Sequence, residues 1–178
     1  LADDSGGFYF LEVNARLQVE HLVTELCTGV DLVRAQLHVA ETGTLPMTQA
    51  DWKPRGHAIE LRVNAEDPFA GWVPATGTIR GLRLPSGPSV RVDSGLVEGG
   101  EVTPYYDSLL AKLAVWAPTR DEAIDRWASA ANGFTLGTLP STLPLPSLLA
   151  ADKEFREGAF HTAWLEPWVK ELGDPKLD

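Results

Sequence analysis

Apolar and polar residues alternate strictly near the start of the chain. Every odd position from Tyr9 to Val19 is apolar, and every even position from Glu12 to Glu20 is polar or charged. Successive side chains of an extended backbone point to opposite faces, so this period of two predicts a strand over 8–17. It would send Leu11, Val13, Ala15 and Leu17 into a core and align Glu12, Asn14, Arg16, Gln18 and Glu20 along one edge. Residues 1–7 read as a turn between two strands, which leads us to expect an upstream partner strand and a chain that is a piece of a longer protein.

The spacing then changes to three and four. Leu26, Val30, Val33, Leu37 and Ala40 share one helical face, interrupted by Gly29 and Asp31. Gly suits a left-handed helix end and Asp an N-cap, so we expect a short helix near 20–28 and a longer one over 31–42 closed by Gly43. Residues 44–56 read as a loop. Alternation returns at His57–Ala65, with Ile59, Leu61 and Val63 against Glu60, Arg62 and Asn64. Short strands are predicted at Thr78–Leu84, Val90–Asp93 and Leu109–Val115, together an antiparallel, even barrel-like, sheet. Thr119 and Glu122 form a capping-box pattern that opens a helix to about Ala131, with Ala123, Trp127 and Ala130 on one face. Prolines 140, 144 and 146 argue against regular structure before Ser147, after which a helix over 147–157 and a last one over 162–172, kinked at Pro167, are expected.

Composition narrows the functional classes. The 178 residues suit one domain, or one domain and a smaller appendage. A net charge of −10 speaks against binding a nucleic-acid backbone, and no apolar run approaches the length of a membrane span. Cys27 is the single cysteine, so no internal disulfide forms and a reducing, cytoplasmic setting is expected. It has no flanking base to activate it and reads as structural. His38, His57 and His161 lack metal-ligand spacing.

The chemistry concentrates on the polar edge. Carboxylate and amide oxygens are the hard ligands that Mg²⁺ takes, and a guanidinium is a planar clamp for anions. A solvated strand face is the plain alternative. Glu12-x-Asn14-x-Arg16-x-Gln18-Val19-Glu20-His21, then Gly56-His57-Ala58-Ile59-Glu60-x-Arg62-x-Asn64-Ala65-Glu66-Asp67-Pro68, then Tyr105-Tyr106-Asp107-Ser108-Leu109 with Ala111-Lys112, resemble the C-terminal part of biotin carboxylases, the ATP-grasp subunits of biotin-dependent carboxylases. The likeness runs from about Phe8 to about Trp168.

That resemblance implies an α+β fold: residues 1–43 as the end of an ATP-grasp domain, and 44–178 as a biotin carboxylase C-terminal domain with an antiparallel sheet and peripheral helices. It implies phosphorylation of bicarbonate by ATP to carboxyphosphate, with Mg²⁺ or Mn²⁺, and carboxylation of biotin on a carrier. Glu12 and Asn14 would be metal ligands. Arg16, Gln18, Val19 and Arg62 would bind bicarbonate or biotin, and Glu20, Arg16 and Arg62 would be catalytic: Glu20 as the base for bicarbonate, Arg62 as the partner of the biotin oxyanion. His21 reads as a hydrogen-bonding support, Lys112 as structural and Tyr105-Tyr106-Asp107 as a turn. A biotin carboxyl carrier, a carboxyltransferase and a homodimer are the implied partners.

The sequence departs from the family at three places. Leu22 stands where relatives have Pro, Pro88 where many carry an interface aromatic, and residues 132–146 diverge. The glycine-rich phosphate loop, the nucleotide lysines and the second metal-binding Glu would precede Leu1, so the isolated chain is expected not to turn over ATP. Two alternatives remain: an ATP-grasp ligase of the carbamoyl-phosphate synthase type, or a non-catalytic docking or oligomerisation module.

Overall fold

In the computed structural model, Asp3 and residues 5–173 are described. Helices α1 (His21–Thr28) and α2 (Leu32–Thr42) come first. Their ends follow local chemistry. Gly29 and Gly43 adopt left-handed conformations at the two C-termini, and the Asp31 side chain accepts the Arg34 N–H at the start of α2. A short 3-10 turn at Gln49–Asp51 interrupts the loop that follows.

The strands are β1 (His57–Asn64), β2 (Glu66–Asp67), β3 (Val73–Pro74), β4 (Gly77–Thr78), β5 (Val90–Ser94), β6 (Glu101–Val102) and β7 (Leu109–Ala117). β7 is the middle of an antiparallel three-stranded sheet ordered β1-β7-β5, and the other four form two small ladders, β2-β3 and β4-β6, so the described residues form no barrel. In register, Leu61 lies opposite Leu113 and Leu113 opposite Val92, which puts Ile59, Leu61, Val63, Leu113, Val115 and Val92 on one face. That face forms the core with α3 (Arg120–Asn132), where Trp127, Ala130 and Ala131 are buried. The opposite face carries Glu60, Arg62, Arg91, Asp93 and Lys112, and α1 packs over it against β1 and β7.

The Thr119 hydroxyl accepts the Glu122 N–H and opens α3 as expected. Other expectations fail for identifiable reasons. The strand expected at Thr78–Leu84 is ordered only at Gly77–Thr78, because Gly81 and Leu82 turn their amides to the Glu98 carboxylate instead of a ladder. The helix expected over 147–157 is two helices, α4 (Leu145–Ala151) and α5 (Lys153–Glu157), separated where Asp152 leaves the helix and caps the second through the Phe155 N–H. Pro146 sits in the first turn of α4, where its missing N–H has no helical acceptor to lose. Pro167 lies likewise in the first turn of α6 (Leu165–Leu172), so it marks a beginning and not a kink. An aromatic column of Trp127, Phe155, Phe160, Trp164 and Trp168 ties α3, α5 and α6 together. No helix among the described residues is long and apolar enough to cross a membrane.

The largest correction concerns the alternating segment. Beyond a bridge position at Phe8, residues 9–18 join no strand, and Leu11 and Val13 are exposed where a core position was expected. Alternation assigns side chains to faces, but a strand persists only where a neighbour completes its ladder of N–H and C=O groups. Among the described residues no strand pairs with 9–18.

Candidate active site

The alternating segment runs into a turn whose geometry is set by backbone bonds. The Gln18 carbonyl accepts the His21 N–H at 3.3 Å and lies 2.8 Å from His21 Nδ1, while the Glu20 carbonyl accepts the Val23 N–H. His21 is thus the support expected of it. A carbonyl can only accept, so the 2.8 Å contact puts the imidazole proton on Nδ1. The turn lays residues 18–20 beside the polar face of the sheet.

There Glu20 meets Arg62 across 42 residues of chain: an Arg62 guanidinium N–H donates to Glu20 Oε2 at 2.9 Å. Both side chains are about half exposed, 49% and 55%, so the pair contributes at most about 1 kcal/mol to stability and its value is positional. The Glu20 carboxyl is held below the usual carboxylate range, chiefly by its own backbone N–H and then by Arg62. It is ionised at neutral pH and able to accept a proton.

One row across the sheet aligns Arg62 of β1, Lys112 of β7 and Asp93 of β5. Lys112 Nζ donates to the Val19 carbonyl at 3.1 Å and lies 3.7 Å from Asp93. Arg91 donates to Asp93 at 2.8 Å and to Glu25 of α1 at 2.6 Å, and Glu25 also accepts the Leu32 N–H at 2.7 Å. The hydrogen bonds from Arg91 hold the Asp93 carboxyl low, whereas burial pushes Glu60 up, and Glu60 Oε2 has no hydrogen-bond partner among the described residues. Glu25, Arg91 and Asp93 carried no signal in the sequence, because the strand register places Arg91 and Asp93 beside Lys112 and the packing of α1 on the sheet brings Glu25 to Arg91.

Arg16, Gln18, Glu20 and His21 form one polar wall of a cavity of about 620 Å³ whose other walls are mainly apolar and come largely from α2 and the loop at Leu45, Met47 and Trp52. The Gln18 amide nitrogen is buried there without a hydrogen-bond partner among the described residues. Glu12 and Asn14 lie apart from this cluster, exposed on the extended segment, and no three acidic, His or Cys side chains gather into a metal cluster among the described residues. One carboxylate and one amide oxygen two positions apart still fit the part a protein plays toward Mg²⁺, which leaves other positions to phosphates and water. Cys27 is half-buried and its thiol is pushed up by that burial, which fits a structural role.

An antiparallel sheet with helices on both faces, whose polar face bears a carboxylate–arginine pair and the row Arg62, Lys112 and Asp93, defines an α+β domain with a charged face. Comparison narrows the class. The biotin carboxylase C-terminal domain family matches residues 60–167, and the ATP-binding domain of the carbamoyl-phosphate synthase large chain matches residues 1–48. The chain belongs to the biotin carboxylase C-terminal domain family, and its fold is that of an α+β ATP-grasp C-terminal region.

The 2-oxoglutarate carboxylase small subunit of Hydrogenobacter thermophilus is 46% identical over 93% of this chain and 35% of its own length. The chloroplastic biotin carboxylase of Arabidopsis thaliana is 44% identical over 99% of this chain and 33% of its own length. The biotin carboxylase domain dimer of the Hydrogenobacter enzyme, in complex with MgADP, ADP and bicarbonate, superposes with a TM-score of 0.89 at 46% identity, covering 95% of this chain and 38% of that one. The chain therefore spans about a third of the length of the curated relatives it matches.

Proposed function

We propose that this chain supplies the bicarbonate- and biotin-facing half of a biotin carboxylase active site, with residues 1–43 closing an ATP-grasp domain and 44–178 forming the C-terminal domain. The observation that carries the reading is the Glu20–Arg62 contact, which joins a proton acceptor to a cation across two separate motifs. Arg16 clamps bicarbonate, with the Gln18 amide and the Val19 N–H as neutral donors. Glu20 takes the bicarbonate proton as its oxygen attacks the terminal phosphate of ATP. Once protonated, Glu20 no longer neutralises Arg62, whose guanidinium is then free for the negative oxygen of deprotonated biotin. Glu12 and Asn14 would hold Mg²⁺ or Mn²⁺, which when bound neutralises phosphate charge.

ATP, biotin on a carboxyl carrier, a carboxyltransferase and a homodimer belong to the same proposal, as does a cytoplasmic setting. The dimeric Hydrogenobacter domain supports the homodimer. The family match over 60–167 favours biotin over the carbamoyl-phosphate synthase alternative. The chain alone is expected not to turn over ATP.

The test is a chimaera in which this chain replaces the matching third of the Hydrogenobacter subunit, assayed for bicarbonate-dependent carboxylation of free biotin. Arg62→Ala should lower kcat by about 100-fold, as loss of an oxyanion donor does. An unchanged kcat would remove Arg62 from the reaction.

A further inference from the structure

Lys112 is the one basic side chain of β7, and it is only 13% exposed. A buried ammonium needs partners on all sides. From the sheet it faces Asp93 on β5 at 3.7 Å and, through charge alone, Glu60 on β1, with Arg62 in the same row. Among the described residues the hydrogen bond of its side chain leaves the sheet: Nζ donates to the Val19 carbonyl at 3.1 Å, 93 residues away in sequence.

That carbonyl belongs to the peptide unit whose N–H is Glu20's own. The same N–H is the main cause of the lowered Glu20 carboxyl. Fixing the carbonyl end of a planar peptide fixes its N–H end as well. An N–H polarised by a cation on its carbonyl is also the stronger donor.

We infer that Lys112 is a positioning residue of the active site: through the Val19 carbonyl it sets the plane of the Val19–Glu20 peptide, and with it the aim of the Glu20 carboxylate. The inference rests on the reading of Val19 and Glu20 given above and adds a residue that acts through them without touching substrate. Asp93 holds the ammonium over the carbonyl, and Arg91 in turn holds Asp93.

The experiment is NMR on the 178-residue chain. In the wild type, a through-hydrogen-bond coupling should link Lys112 Nζ to the Val19 carbonyl carbon. Lys112→Met should speed exchange of the Glu20 amide about tenfold, the equivalent of one charged hydrogen bond, and raise the titration midpoint of the Glu20 carboxyl. Amides in the centre of β1 should keep their protection, and Lys112→Arg should restore both Glu20 signals. A purely structural lysine would lower protection throughout the sheet and leave the Glu20 midpoint where it was, and that result overturns the inference. Absence of the coupling in the wild type overturns it even if Lys112→Met does not fold. An Arg62→Ala chimaera that carboxylates biotin normally would overturn the proposed function without touching the role of Lys112.

Discussion

Two stretches of this chain carry the same alternation, and only one is a strand. In β1, Ile59, Leu61 and Val63 face the core, and each residue from His57 to Val63 has a registered partner on β7. In the segment from Phe8 to Val19 the pattern is as regular, yet Leu11 and Val13 are 66% and 75% exposed. Alternation fixes which side chains share a face; a neighbouring strand decides whether that face becomes a core. The residues proposed to carry the function straddle the difference. Arg62 and Lys112 stand on the sheet, while Arg16, Gln18 and Glu20 stand on the irregular stretch before α1, which meets the sheet through the Glu20–Arg62 and Val19–Lys112 hydrogen bonds.

Truncation in the two stretches should separate them most widely. Leu61→Ala, at a buried position of β1, should destabilise by about 2–5 kcal/mol in denaturant unfolding, and Leu11→Ala should change stability by less than about 0.5 kcal/mol. Equal losses would mean that the segment is as well packed as β1. Next comes the tie between the regions. Glu25→Ala removes the acceptor shared by Arg91 and the Leu32 N–H and should cost about 1.5–3 kcal/mol, the worth of charged hydrogen bonds. Hydrogen exchange should show α1 and α2 loosening while the centre of β7 stays protected. At the entry to β1, Gly56 has a φ of 66°, and a Cβ there would meet the Ala117 carbonyl and the Trp116 ring. Gly56→Ala should therefore cost about 1–3 kcal/mol by thermal melt.

The smallest effects are in pH. Asp93 is held below its ordinary carboxyl value by Arg91, so its contribution is present above about pH 4 and is lost as pH falls through the folded value. Glu60 is pushed up by burial and has the opposite sign. Its contribution is fully present below its ordinary value of 4.5 and fades as pH rises through the folded value. Asp93→Asn should flatten the acid limb of the stability profile, and Glu60→Gln should raise the urea midpoint at pH 7 but not at pH 4.

What was legible in the sequence follows the range of the interactions. Helix ends at Gly29, Asp31, Gly43 and Thr119 were readable because each depends on a residue within a turn of it. The motif residues Glu20 and Arg62 were readable through family likeness, and the structure brings them together. The row Arg62, Lys112 and Asp93 was not, because it depends on a strand order, β1-β7-β5, that no local pattern encodes. Prolines 146 and 167 misled because the same residue that breaks a helix interior is at home in its first turn.

We propose that Glu20, held ionised against Arg62, acts as the base in a biotin carboxylase. The most direct test of this role is Glu20→Gln in the chimaera, with biotin carboxylation and nucleotide binding measured on the same preparation. The account predicts that carboxylation is abolished and nucleotide binding is largely retained. Carboxylation of biotin at the unsubstituted rate would contradict it.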